Sequence, residues 1–215
     1  MFRKVWLLLI VLLSTFNVWS QVQVGVKAGA TVGSQRVRMH GSGKWMPIKT
    51  DLKAGYQAGI FATAFLDRKS KWSVAAEVNY VQIGARYPSP ERLADLDPEI
   101  TNKPFAIRLN YLELPLMVRY HFKRFYLGGG GAISLLVSSD AGRKDFWGQP
   151  VQLDYRSTDL SLTGLAGMKL NSNWEFYLRY CHGVSDVDNH AKMLVQNIYV
   201  QAAVLYHIWP FAKRR

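Results

Sequence analysis

Apolar residues recur at every second position between residues 110 and 139, in two runs separated by Lys123-Arg124. In the first run one set of alternate positions is Leu112, Leu114, Leu116, Val118 and Tyr120, and the other is Glu113, Pro115, Met117 and Arg119. In the second run the sets are Phe125, Leu127, Ile133, Leu135 and Val137, and Gly128, Gly130, Ala132, Ser134 and Ser138. Because successive side chains of a strand point to opposite faces, this period of two predicts two strands joined by a tight turn.

The same alternation predicts eight strands along the chain. They span Val22–Gly33, Ala54–Leu66, Trp72–Gly84, Ala106–Phe122, Phe125–Ser139, Ser157–Leu170, Trp174–His182 and Gln196–Trp209. In the last strand one face is Ile198, Val200, Ala202, Val204, Tyr206 and Ile208, and the other is Asn197, Tyr199, Gln201 and His207. Long strands with one apolar face and one polar or small face are typical of transmembrane β-barrels.

The connections between these strands alternate in length. The short ones are Asp67–Lys71, Lys123-Arg124 and Asn171–Asn173, and the long ones are Ser34–Lys53, Ala85–Phe105, Asp140–Arg156 and Gly183–Val195. Short periplasmic turns and long outer loops are typical of outer-membrane barrels. The sequence therefore predicts an all-β fold, an eight-stranded antiparallel up-and-down transmembrane β-barrel in the bacterial outer membrane. An even strand number places both termini on the short-turn, periplasmic side.

Large aromatic residues gather where the predicted strands meet the short turns. They are Phe65, Trp72, Tyr120, Phe122, Phe125, Trp174, Phe176, Tyr206 and Trp209. Aromatic residues favour the membrane–water interface, so the pattern indicates an aromatic girdle at this end of the barrel. Ordinary packing of aromatic residues in a core is the alternative.

The first 20 residues have the features of a secretory signal peptide. Arg3 and Lys4 precede an apolar run from Val5 to Leu13, which is too short to span a membrane as a helix. We expect cleavage after Ser20, leaving one barrel domain over residues 21–215; an uncleaved anchor is the alternative. A short helix is also expected at Ser89–Leu96 in the second long loop, with Ser89 as its N-cap.

Several segments together resemble a known family. They are GVKAGA at Gly25–Ala30, GYQAGIFATAFL at Gly55–Leu66, WSVAAEVNYVQIGAR at Trp72–Arg86 and LNYLELPLMVRYHF at Leu109–Phe122. The chain resembles the PorT-like outer-membrane β-barrel domain family, found chiefly in Bacteroidota, and NYLELP is its most specific segment. The resemblance implies a signal peptide, an eight-stranded barrel and residence in the outer membrane. The family's namesake takes part in a secretion system, a role that the resemblance alone does not transfer.

Charged residues occupy the face of the strands that would point into the barrel. They are Lys27, Glu77, Glu113, Arg119, Lys169, Glu175 and Arg179. An eight-stranded barrel is only wide enough to be filled by side chains or to hold one small ligand. We therefore predict a charge network in the lumen, formed by Glu77, Glu113, Arg119, Glu175 and Arg179, with at least two acid–arginine contacts. A proton or ion path and a small-ligand cavity are the alternatives.

The sequence offers one arrangement that suggests an enzyme. His182, Ser185 and Asp186 carry the residue types of a hydrolase, such as a barrel that modifies lipid A. A separation of three places His182 and Ser185 on opposite faces of a strand, whereas a catalytic pair lies within hydrogen-bonding distance. No metal-ligand spacing is evident among the histidines, and Cys181 is the only cysteine. We predict no catalytic residue, cofactor or metal site.

The formal net charge of the chain is +12, and a strongly positive charge often indicates a nucleic-acid partner. For an exported barrel, outer-membrane lipid and the phosphates of lipopolysaccharide are the nearer anions. The first long loop alone carries Arg36, Arg38, Lys44, Lys49 and Lys53. We predict a non-enzymatic protein with a structural or interaction role through long extracellular loops, in secretion or envelope assembly, with an unidentified protein partner and no nucleic acid. A narrow channel and a lipid A-modifying enzyme are the alternatives.

Overall fold

The computed structural model describes residues 22–41, 44–48, 50–67, 70–87, 105–140, 155–187 and 193–209. The predicted signal peptide and the predicted helix at Ser89–Leu96 lie outside these residues. All regular elements within them are strands: β1 (Val22–Gly41), β2 (Lys44–Ile48), β3 (Asp51–Phe65), β4 (Trp72–Tyr87), β5 (Phe105–Phe122), β6 (Phe125–Asp140), β7 (Thr158–Lys169), β8 (Trp174–Gly183) and β9 (Met193–Trp209). The described part of the chain contains no helix long and apolar enough to span a membrane.

The strands form one closed antiparallel sheet. Each pairs with its neighbour in the order β1, β3, β4, β5, β6, β7, β8, β9, and β1 also pairs with β9, from Val24↔Trp209 to Met39↔Met193. This last pairing leaves no free edge in the ring. The predicted eight-stranded up-and-down barrel is therefore confirmed. Strand β2 is an addition that pairs only with the end of β1.

The prediction of a long first loop over Ser34–Lys53 is wrong. β1 continues to Gly41, folds back on β2 from Val37↔Ile48 to Gly41↔Lys44, and stays paired with β9 up to Met39. The alternation that defines β1 does not stop at Gly33, because Gln35 and Val37 still face inward while Arg36 is exposed. The barrel wall therefore extends further at the long-connection end than the sequence suggested.

The two faces of the wall differ in the way that the alternation predicts. Leu116, Leu162 and Ile208 are about 60% exposed on the outside, whereas Arg119 and Arg179 are at most 1% exposed on the inside. The outward positions of all eight barrel strands form a continuous apolar belt, and at the height of this belt the charged side chains point into the lumen. This arrangement inverts that of a water-soluble protein and requires an apolar surrounding.

Ser138 faces the opposite way from the prediction, and so does Phe65, which is described below. Ser138 is exposed, because β6 has one extra residue where the β5–β6 register shifts, between Asn110↔Ser138 and Tyr111↔Leu136. This bulge turns both Val137 and Ser138 outward.

The prediction that Phe65 belongs to the aromatic girdle is wrong, because this side chain lies inside the barrel, where it is 4% exposed. Its ring packs against His121, with ring centroids 5.1 Å apart. The girdle itself is present on the outside at the short-turn end, in the tilted pairs Trp72–Tyr120 and Trp174–Tyr206, each with centroids 4.9 Å apart. The side chain of Trp209 lies outside the described residues.

Two inward-facing glycines leave room for large neighbours. Gly128 pairs with Arg119, and a Cβ on Gly128 would lie 3.0 Å from the Arg119 Cγ. Gly167 pairs with Tyr126, and a Cβ there would lie 2.2 Å from the Tyr126 ring. In both pairs a residue without a side chain faces a bulky one, so the narrow lumen is filled without overlap.

Replacing Gly167 by alanine should therefore destabilise the barrel. The added methyl group overlaps the Tyr126 ring, and overpacking of this kind costs about 1–3 kcal/mol. Gly164 is the matched control on the same strand, because a Cβ at that position meets nothing within 4 Å. Urea unfolding in lipid vesicles measures both variants, and equal stability of Gly167→Ala and Gly164→Ala would contradict the packing argument.

Candidate functional site

Glu77 is the centre of the charges inside the barrel. Its carboxylate binds Lys27 of β1, Arg119 of β5 and Arg179 of β8. The Oε1 atom lies 2.9 Å from Arg119 Nη2 and 2.7 Å from Arg179 Nη2, and the Lys27 ammonium binds Oε2. All four side chains are at most 1% exposed. One carboxylate on β4 thus connects three other strands across the lumen.

Glu113 forms the second acidic point of the same cluster. Arg179 Nη1 lies 3.5 Å from its Oε1 atom, so this guanidinium bridges Glu77 and Glu113. Tyr199 donates its hydroxyl to Glu113, and the amide of Asn79 donates to Glu77 at 3.0 Å and to Glu113 at 3.5 Å. We call Lys27, Glu77, Glu113, Arg119 and Arg179 the lumen cluster.

The fifth predicted residue, Glu175, lies in a separate group nearer the short turns. His207 Nε2 is 3.0 Å from Glu175 Oε1, and Lys169 Nζ is 3.7 Å from the same atom. The Lys169 ammonium also lies 5.0 Å from the centre of the Phe65 ring, so an aromatic face contacts this cation. His207 is not part of the predicted network, although its place on the inward face of β9 was the signal that it faces the lumen.

A third layer, in which Asp159 is the charged member, crosses the lumen toward the long connections. The Asn197 side chain donates a hydrogen bond to Asp159 at 2.8 Å and accepts a hydrogen bond from Gln35 at 3.1 Å. The Tyr87 hydroxyl donates a hydrogen bond to Gln35 at 2.8 Å. A buried apolar cluster surrounds this layer; it consists of Val37, Val81, Ile83, Ala85, Tyr87, Ile107, Leu109, Tyr111, Cys181, Val187, Val195 and Tyr199. The long-connection half of the lumen is therefore packed like a protein core.

The enclosed charges balance in sign. Among the described residues, the inward cations are Lys27, Arg119, Lys169 and Arg179, and the inward carboxylates are Glu77, Glu113, Asp159 and Glu175. Buried charges are tolerated where they are paired and hydrogen-bonded, because the loss of hydration is then offset. A neutral, internally paired interior can exist without a bound counter-ion.

The structure separates the residues that suggested a hydrolase. His182 lies on the outer face of β8, where its Nδ1 atom is 3.1 Å from the Tyr180 hydroxyl. Ser185 donates to Asp159 at 2.6 Å, and Asp186 accepts from the backbone of Val195 at 2.9 Å. Each candidate residue thus has a different partner. Within the described ranges, no group of three or more His, Cys, Asp or Glu side chains is arranged to hold a metal ion.

A closed barrel with an apolar outer belt and an enclosed, neutral set of charges is the architecture of a membrane-spanning barrel. A family model for the outer membrane protein beta-barrel domain matches residues 15–189. The chain belongs to this family. The apolar belt is accordingly the surface that faces the lipid of the outer membrane, and the lumen cluster lies at the centre of an outer-membrane barrel.

Solved structures provide a second comparison. The chain is similar to Ail, the attachment invasion locus protein of Yersinia pestis, with 14% identity and a TM-score of 0.47 over 87% of this chain and 99% of that one. It is similar to Neisserial surface protein A with 14% identity and a TM-score of 0.47, over 85% and 96% of the two chains. It is also similar to the outer membrane protein OprG from Pseudomonas aeruginosa, with 13% identity and a TM-score of 0.45, over 88% of this chain and 96% of that one. No sequence among curated proteins matches significantly.

Loss of the Arg179 side chain should strongly destabilise the barrel. Arg179→Met leaves Glu113 without its guanidinium partner, and breaking a buried pair in this way costs about 3–5 kcal/mol. Arg36→Met is the control, because Arg36 is exposed, and such surface changes usually stay within about 0.5 kcal/mol.

The double variant Arg179→Met/Glu113→Gln tests whether the unpaired Glu113 carboxylate causes this loss of stability. It leaves Glu77 with Lys27 and Arg119, so we expect it to be more stable than the sum of the two single losses predicts. Urea unfolding in lipid vesicles gives all the free energies. Additive losses, or an effect of Arg179→Met as small as that of Arg36→Met, would show that the cluster does not act as a unit.

Proposed function

We propose that this protein is a non-conducting, non-enzymatic outer-membrane barrel that acts through the surface at its long-connection end. The observation that carries this proposal is the filled lumen. The lumen cluster joins β1, β4, β5 and β8 at mid-height, and an apolar core fills the half above it. A solute crossing the barrel would have to displace both.

The strength of the contacts favours a closed lumen over a narrow channel. Arg119 and Arg179 are among the largest fully buried side chains, and each donates a charge-assisted hydrogen bond to Glu77. Aromatic rings also cover the cations: the Arg179 guanidinium lies 4.8 Å from the centre of the Tyr177 ring, and that of Arg119 lies 5.3 Å from the Tyr126 ring. Side chains held on several sides are poorly suited to move aside for ions.

We place the short turns and both termini in the periplasm and the long connections outside the cell. The aromatic girdle at the short-turn end and the extended wall at the other end support this orientation, because outer-membrane barrels have short periplasmic turns and long outer loops. The NYLELP segment in β5 supports placement in the PorT-like branch of the family. We propose a role in secretion or envelope assembly, with a protein partner bound at the long-connection end.

The closed lumen predicts that the reconstituted protein does not conduct. In planar bilayers we expect no steady single-channel steps, while a porin in the same membrane serves as the positive control. Insertion is verified by the different gel migration of boiled and unboiled samples. Reproducible open-channel steps from correctly folded protein would overturn the proposal and favour the channel alternative.

The orientation predicts which cysteine variants are labelled on intact cells. Ser139→Cys lies on the exposed end of β6 at the long-connection side, and Lys123→Cys lies in the turn at the opposite end. The native Cys181 is buried and should remain unlabelled. A membrane-impermeant maleimide should label Ser139→Cys alone, and after the outer membrane is permeabilised it should label both. The reverse result on intact cells would invert the orientation.

A further inference from the structure

The outer face of β4 and β5 changes from apolar to charged in successive rows at the long-connection end. Tyr80 and Leu112 pair in the last apolar row, with Tyr80 stacked on Tyr56. The next row is a hydrogen-bonded chain in which Gln82 donates to Asn110 at 3.1 Å and Asn110 donates to Ser138 at 2.8 Å. We call this chain of Gln82, Asn110 and Ser138 the amide row. Above it, the two outward positions with long side chains on β4 and β5 are Arg86 and Arg108.

Three cations lie side by side in this upper region. Arg108 pairs with Gly84 on one side and with Asp140 on the other, and Arg86 pairs with Asp51. These pairings make Arg86 and Arg108 diagonal neighbours on β4 and β5. Gly84 has no side chain, and the space is used by the stem of Lys53, whose Cδ lies 3.2 Å from where a Gly84 Cβ would be. The Lys53 charge is thereby held close to Arg108 and Arg86.

Further cations extend this group around the rim. The outward or exposed ones at this end are Arg36, Arg38, Lys53, Arg86, Arg108 and Arg156, which we call the basic collar. The described carboxylates at the same end are Asp51, Asp140 and Asp186. Among the side chains that the structure describes at this end, positive charges therefore exceed negative ones, and five of these six cations are arginine. Asp140 and Asp51 lie beside Arg108 and Arg86 and offset part of this charge. The remaining like charges on adjacent strands are unfavourable, and a bound anion would relieve their repulsion.

The collar lies just beyond the polar layer of a membrane, at a height from which its long side chains reach that layer. Arg108 is four residues beyond Leu112 on β5, which is about 13 Å along the strand. For a strand tilt of about 40°, this corresponds to about 10 Å above the last apolar row. The polar layer of a bilayer extends about 5–7 Å beyond the hydrocarbon on each side, and arginine side chains bend toward such a layer.

We propose that Lys53, Arg86 and Arg108 bind the phosphate groups of a phosphorylated glycolipid in the outer leaflet. The planar guanidinium group binds phosphate through two parallel hydrogen bonds, which explains the predominance of arginine. The amide and hydroxyl row below would contact sugar hydroxyls, and acyl chains would lie along the apolar belt below Leu112. The inference rests on the proposed orientation, which places the collar in the outer leaflet.

The test compares two variants that each lose two positive charges. Arg86→Gln/Arg108→Gln removes the centre of the site, and Lys123→Gln/Arg124→Gln is the matched control in the exposed turn at the other end. Each protein, purified from outer membranes and reconstituted in phosphatidylcholine nanodiscs, is titrated with bisphosphorylated lipid A, with dephosphorylated lipid A and with inorganic phosphate. Unchanged heat-modifiable migration verifies that the exposed substitutions leave the barrel folded.

We expect the wild type and the turn variant to bind bisphosphorylated lipid A equally, and the Arg86/Arg108 variant to bind it at least about tenfold more weakly, because the loss of even one charge-assisted hydrogen bond has an effect of that size. All three proteins should bind dephosphorylated lipid A weakly, and inorganic phosphate should not compete, because it lacks acyl chains. Equal binding by all three proteins, equal losses in both variants, or equal binding of the dephosphorylated lipid would overturn the proposal. The maleimide experiment tests the orientation independently, so a phosphate site on an inverted barrel would be recognised as such.

Discussion

The carboxylate of Glu77 is the interaction on which the interior of this barrel depends. Three cations from three other strands converge on one carboxylate that water does not reach. In such a site electrostatic attraction is strong, but so is the penalty for leaving any member unpaired. The cluster therefore favours one arrangement of the strands rather than simply adding stability. A shift of one residue in any pairing would turn Lys27, Arg119 or Arg179 toward lipid, where a charge at mid-membrane costs about 2–4 kcal/mol.

Space in the lumen is a second constraint, and it explains one glycine in β6 and one in β7. Arg119 and Tyr126 point into a barrel that is barely wide enough for large side chains. The strand positions opposite them are Gly128 and Gly167. In each of these pairs, one strand contributes a bulky side chain and its neighbour contributes a glycine. Gly128 and Gly167 are therefore required by the packing of the lumen.

Much of this architecture could be predicted from the sequence, because a period of two fixes which face each side chain occupies. This period alone was sufficient to predict that Glu113 and Arg179 point into the lumen. The height of each side chain depends on strand register and tilt, which alternation does not encode, so the pairing of Glu175 with His207 rather than with an arginine was not predictable. The outward turn of Ser138 required knowledge of a bulge, and the continuation of β1 past Gly33 depended on its pairing with the distant β9.

The pairing of β1 with β9 has a consequence for the order of events in assembly. Lys27 and Glu77 are synthesised early, whereas Arg179 and the strand that closes the ring come last. A partial barrel would hold an incomplete set of buried charges beside an open sheet edge, and neither is tolerated in hydrocarbon. Stepwise insertion of single hairpins is therefore unfavourable. The chain has to be kept unfolded until its final strand is available, and folding and entry into the membrane then occur as one concerted, slow step.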